Sequence, residues 1–151
     1  MITPGLPDRL LAYLHGGAPA LMLSVSADGY PHAAYTWVAA PGAGVVRFGV
    51  DRGTATFDNV RRNERAALQI IGPSGLLFIV KGAARLIKEE IAAAPFGLSL
   101  MEMTVGEVKD QSWAGVTVAP LAYEWAHGQR QTMLATEQAI YAELRDWKPE
   151  T

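Results

Sequence analysis

Residues 20–50 read ALMLSVSADGYPHAAYTWVAAPGAGVVRFGV, and this stretch decides the fold. Three runs rich in apolar residues, Ala20–Ser26, His32–Ala40 and Val45–Val50, are separated by Asp28-Gly29 and by Pro41-Gly42-Ala43-Gly44. Asp-Gly is a tight-turn pair because its glycine accepts the positive φ that a hairpin turn needs. Loops this short can only join antiparallel neighbours, so the three runs form a meander.

The rest of the chain is read outward from that meander. Before it, Pro7 and Asp8 open a short helix with Leu10, Leu11 and Leu14 on one side, stopped by Gly16-Gly17. After it, Thr54 is an N-cap, and Phe57, Val60 and Arg61 keep helical spacing until Asn63. Strands resume at Ala66–Ile71 and Leu76–Ile87 around a Gly72-Pro73-Ser74-Gly75 turn, and Gly82 marks a bulge or a barrel corner. Glu89–Thr104, broken by Pro95 and Gly97, reads as a short helix and a loop. Val105–Lys109 and Gly115–Trp125 read as two more strands. A last helix spans Thr132–Asp146, with Met133, Ile140, Leu144 and Trp147 as its apolar stripe. Six or seven antiparallel strands close on themselves to remove exposed edges. The expected fold class is therefore mainly β (β+α), an antiparallel barrel with flanking helices, in one domain over 1–151.

Composition narrows the function. The chain has 151 residues, half of them hydrophobic, with 19% charged and a net charge of −2. A polyanion binder would carry a strongly basic face, so nucleic acid is not an expected partner. The one basic run, Arg61-Arg62-Asn63-Glu64-Arg65, is interrupted by an acid and reads as a solvated helix face. There is no cysteine, which excludes disulfides, thiolate nucleophiles and cysteine-based zinc sites. His15, His32 and His127 lack partners at metal-ligand spacing, so no metal is expected. Neither G-x-S-x-G nor a phosphate-loop motif occurs. No run approaches the roughly 20 apolar residues that cross a bilayer, and the first residues do not resemble a signal peptide. A cytoplasmic location and no membrane partner are expected.

Two features point to a small-molecule ligand. A helix starting directly after a strand, at Thr54–Thr56, presents free N–H groups and a positive dipole end. Such a terminus favours a phosphate, with the threonine hydroxyls and Arg52 as further donors. The strand carrying Tyr35, Thr36, Trp37 and Val38 offers amides to the edge of a flat ring and side chains to its face. Each residue has a structural alternative. Thr54 and Thr56 could serve only as caps, Asn59 could pack against loop backbone, and Trp37 could be a packing residue. Arg52 could pair with Asp51 or Asp58. Trp113, in a polar loop, could cover a partner's groove or plug a dimer contact.

The ordered set LSVSADGYPHAAYTWV, VVRFGVDRGTATFDNVRRNERAAL and LFIVKGAARL resembles the pyridoxamine 5′-phosphate oxidase-like superfamily of FMN-binding split barrels. Asp28-Gly29-Tyr30-Pro31 matches its first turn, Gly53–Val60 its helix start, Arg62–Leu68 its next strand entry, and Lys81–Leu86 its later strand. The resemblance covers somewhat under half the chain. It implies a six- to seven-stranded antiparallel split β-barrel, a homodimer, FMN in the groove between subunits, and oxidoreduction of a small organic substrate. The cofactor-binding residues implied are Tyr35, Thr36, Trp37, Val38, Val50, Arg52, Thr54, Thr56, Asn59 and Trp113, with no catalytic side chain identified. The chain departs from the family at the phosphate. Positions that usually carry a lysine and arginines are Thr56, Ala34 and Ala55 here, and charge-assisted bonds to phosphate are about twice as strong as neutral ones. A second expectation follows: a split barrel without tight FMN binding, non-catalytic or holding another flat cofactor such as deazaflavin F420 or haem.

Overall fold

The computed structural model describes residues 1–150. A two-residue strand β1 (Ile2–Thr3) and helix α1 (Asp8–His15) precede the meander of β2 (Ala18–Val25), β3 (Pro31–Gly42) and β4 (Val45–Asp51). Helix α2 (Ala55–Asn63) leads into β5 (Arg65–Ile71), β6 (Leu77–Lys88) and β7 (Leu98–Asp110), and α3 (Arg130–Asp146) is the last element. Every ladder is antiparallel. The order β7-β4-β3-β2-β5-β6 returns from β6 to β7, giving a closed six-stranded barrel with β1 added on β7.

Alternation fills the barrel. Met22 of β2, Val38 of β3, Phe48 of β4, Leu68 of β5, Val80 of β6 and Met101 and Met103 of β7 point inward and are fully buried. Leu10 and Leu14 of α1 and Val60 of α2 join the same core. Gly29 takes φ 86° in the β2–β3 turn, as the Asp-Gly pair requires. A second, smaller core lies outside the barrel, where Ile140, Tyr141 and Leu144 of α3 cover Ala39, Leu98 and Leu100.

Two expectations need correction. The segment read as helix and loop over Glu89–Thr104 contains no helix, and its second half is the start of β7. Residues 98–101 are buried on both faces, one by the barrel core and the other by α3, so the period-2 alternation of a half-buried strand is absent there. The strand expected at Gly115–Trp125 does not form. Closure of β6 onto β7 uses both edges it could have joined, and Leu121 N to Ile71 O, 2.8 Å, is its backbone bond to the barrel. The final apolar stripe holds Ile140 and Leu144 with Tyr141, whereas Met133 lies outside both cores.

Candidate functional site

A cleft of about 700 Å³ runs along β3 between the start of α2 and the loop before β7. Tyr35, Thr36 and Trp37 line it from β3, Gly49, Val50 and Asp51 from β4, and Thr54, Ala55 and Thr56 from the helix start. Phe96 and Leu98 form one side, and Tyr123 reaches it from the segment before α3. Gly49 shapes this floor, since a Cβ there would stand 2.8 Å from Leu98 Cδ2.

The helix start is the polar end. Thr54 sits at φ −100° and ψ 160°, and its hydroxyl donates to the Asp51 carbonyl at 2.7 Å and accepts from Phe57 N at 3.3 Å. It is an N-cap, as its position predicted. The cap takes the Phe57 amide and leaves those of Ala55 and Thr56 without intrahelical partners. Thr56 is 5% exposed, and its Oγ1 is a buried polar atom with no hydrogen-bond partner among the described residues. An unpaired buried hydroxyl costs roughly 1–3 kcal/mol, so Thr56 Oγ1 works against folding where it stands.

The opposite end is aromatic. Trp37 lies 6.1 Å from Phe96 and 6.2 Å from Trp125, centroid to centroid. Tyr35 meets Tyr123 edge-on at 6.3 Å. The Tyr123 hydroxyl accepts from Trp37 Nε1 and donates to Glu137. Burial, reinforced by the Glu137 carboxylate, pushes the Tyr123 phenol well above its usual range, so it remains protonated.

Other candidates lie elsewhere. Val38 is wholly within the barrel core, and Val50 lines the cleft while its side chain packs in that core. Arg52 pairs with Glu90 at 2.7 Å, not with Asp51 or Asp58, and does not line the cleft. Asn59 donates to Ser24 Oγ and Ser26 Oγ and accepts from Arg62, which makes it a strut between α2 and the end of β2. Trp113 sits beside Gly75 and Leu77, away from the cleft. No lysine or arginine lines the cleft; Asp51 and His32 are its titratable side chains apart from the tyrosines. No cluster of potential metal ligands occurs among the described residues. No helix among them is long and apolar enough to cross a membrane.

Sequence reading missed Phe96, Leu98, Tyr123 and Glu137. The first two fell in a segment read as loop, and Tyr123 in one read as strand. Glu137 left a usable signal, because it stands four residues after Met133 and three before Ile140, on the apolar stripe of α3.

Comparisons with known proteins agree with this architecture. Solved structures with the same fold include an F420 reductase, 16% identical, TM-score 0.60, with 70% of this chain and 100% of that chain covered. A pyridoxamine 5′-phosphate oxidase-like protein from Lactobacillus delbrueckii is 16% identical, TM-score 0.59, over 71% of this chain and 95% of its own. HupZ of Group A Streptococcus is 12% identical, TM-score 0.58, over 76% and 99%. No curated protein matches in sequence. The family profile described as pyridoxamine 5′-phosphate oxidase matches residues 6–139, most of the barrel and its helices, and the chain belongs to that family.

Proposed function

We propose that the protein binds a flat, phosphate-bearing cofactor in this cleft, FMN first among the candidates, and acts as an oxidoreductase on a small organic molecule. The observation that carries this reading is Thr56 Oγ1, unpartnered and buried at the mouth of a helix N-terminus. A phosphate there would meet the Ala55 and Thr56 amides and the positive end of α2, and the Thr56 hydroxyl, shielded in this rotamer, would turn about χ1 to reach it. Trp37 and Tyr35 would flank the ring, and Phe96 with Leu98 would keep water from its far side. The redox chemistry would be the flavin's, while these residues bind, orient and desolvate.

We further propose a homodimer. The outer face of the sheet beside the cleft carries Leu23, Val25, Pro31, Ala67 and Ala83, rimmed by Arg65, Lys81, Glu64 and Glu107. An apolar floor with a rim of both signs suits a second copy of the same surface.

A second reading has its own support. With no lysine or arginine along the cleft, a phosphate is held only by neutral donors, which favours a ligand whose affinity comes from its ring. Deazaflavin F420 or haem would then replace FMN; one structural neighbour is an F420 reductase, and His32 supplies an imidazole at the cleft edge. The visible spectrum of freshly purified protein, followed by titrations with FMN, F420 and haem, tests both. Yellow protein or micromolar FMN binding supports the first reading. Colourless protein that ignores FMN at high micromolar concentration overturns it.

A further inference from the structure

The aromatic end of the cleft is held from behind by a single carboxylate. Glu137 Oε1 accepts from the Tyr123 hydroxyl and from Trp125 Nε1, and Tyr123 in turn accepts from Trp37 Nε1. Glu137 is 7% exposed, and no ion pair among the described residues includes it. A carboxylate taken out of water without a cation is tolerated only where its hydrogen bonds are good. Those bonds are charge-assisted, and they fix the two donors in place.

One donor, Tyr123, lines the cleft, and the other, Trp125, packs behind it and against Trp37. Tyr123 and Trp125 meet edge-on at 5.7 Å and 88°, and Trp125 stacks obliquely against Trp37. The segment carrying them has no ladder to hold it, only the Leu121–Ile71 backbone bond upstream. The Tyr123 ring is therefore fixed by side-chain contacts, its hydroxyl held between Trp37 and Glu137.

We propose that Glu137 is a positioning residue, which holds Tyr123, braced from behind by Trp125, as part of the aromatic wall that receives a ligand's ring at this end of the cleft. The proposal rests on the cleft being the ring site described above. An indole N–H points in the plane of its ring, so Tyr123 continues the edge of Trp37, and the two rings with Tyr35 form one side of this end of the cleft.

The test uses the full chain with Glu137→Ala, Glu137→Gln and Tyr123→Phe. Lumichrome, the bare tricyclic ring without phosphate, and FMN are titrated by fluorescence, with Tm and acrylamide quenching of tryptophan measured alongside. Glu137→Ala is expected to weaken both probes by about tenfold, as loss of hydrogen bonds to a charged group implies, and to increase tryptophan quenching. Glu137→Gln is expected to stay within about twofold of wild type, since the amide oxygen accepts the same two bonds. Wild-type affinity for both probes in Glu137→Ala would overturn the proposal, as would Glu137→Gln binding as weakly as Glu137→Ala. If Glu137→Ala does not fold, Tyr123→Phe keeps the ring and removes the hydroxyl alone; undiminished lumichrome affinity there overturns the clasp. A wild type that binds neither probe removes the ring-site reading, whereas unchanged tryptophan quenching in Glu137→Ala removes the clasp itself.

Discussion

Lys88 Nζ lies 2.6 Å from the Glu143 carboxylate and so ties the end of β6 to the last turns of α3. The same carboxylate accepts the backbone amides of Ala92 and Ala93, each at 2.9 Å, which anchors the turn that leads to Phe96. Burial alone would raise the Glu143 pKa, but Lys88 and the two amides outweigh it and hold the carboxyl below its ordinary range. A group depressed in the folded state contributes stability above its unfolded pKa and loses it as pH falls through the folded value. Glu143→Gln should therefore cost roughly 1–2 kcal/mol at neutral pH, toward the lower figure because solvent reaches the pair. Urea unfolding should show the gap to wild type closing as pH falls below the ordinary glutamate value of about 4.3. A gap that stays constant between neutral and acid pH would mean the ion pair contributes nothing.

Gly82 faces the β7 backbone so closely that a Cβ would stand 2.0 Å from the Thr104 carbonyl oxygen. The β6–β7 register shifts at this point, between Lys81 and Gly82. A methyl group there must push two paired strands apart at the seam that closes the barrel. Gly82→Ala should destabilise the protein by roughly 1–3 kcal/mol or more, measured by urea midpoint. A wild-type midpoint would show that the bulge is plastic.

That glycine is legible in the sequence, because an isolated glycine inside an apolar strand has few other uses. The Asp28-Gly29 hairpin and the Thr54 cap were legible for the same reason: local chemistry alone dictates them. What escaped was set by distant contacts. Leu98 and Leu100 lack alternation because α3, more than thirty residues later, covers their outer face. Tyr123 joins the cleft with its hydroxyl bonded to Trp37, far back in the chain, and to Glu137, fourteen residues on, and no local pattern around Tyr123 encodes that. Arg52, adjacent to the helix start in sequence, was the readiest phosphate cation, yet Glu90 engages it from a loop that sequence spacing does not bring near.

Val25 is half exposed on the outer sheet face, between Leu23 and Pro31. If that face joins two copies, a carboxylate there must be buried among apolar side chains without a cation, and an unpaired charge in a desolvated interface costs several kcal/mol. Val25→Glu should convert a micromolar dimer to monomer in sedimentation while leaving circular dichroism unchanged. A wild type that sediments as a monomer at the same concentration would remove the dimer, and a dimeric variant would move the interface to another face.

Thr54 and Thr56 stand two residues apart at one helix start, yet their substitutions should act in opposite directions. Thr54 makes both hydrogen bonds of an N-cap, so Thr54→Ala should cost about 1 kcal/mol of stability and weaken every ligand only as far as the helix frays. Thr56 Oγ1 has no partner to lose. Thr56→Val keeps the shape, removes the unpaired hydroxyl, and should leave the ligand-free protein as stable as before or more stable by about 1 kcal/mol. If the hydroxyl is kept for a phosphate, the same change should weaken FMN by about tenfold while sparing lumichrome, which has no phosphate to lose. Equal losses for both probes would place Thr56 against the ring instead, and no loss for either would leave its burial without a ligand to account for it.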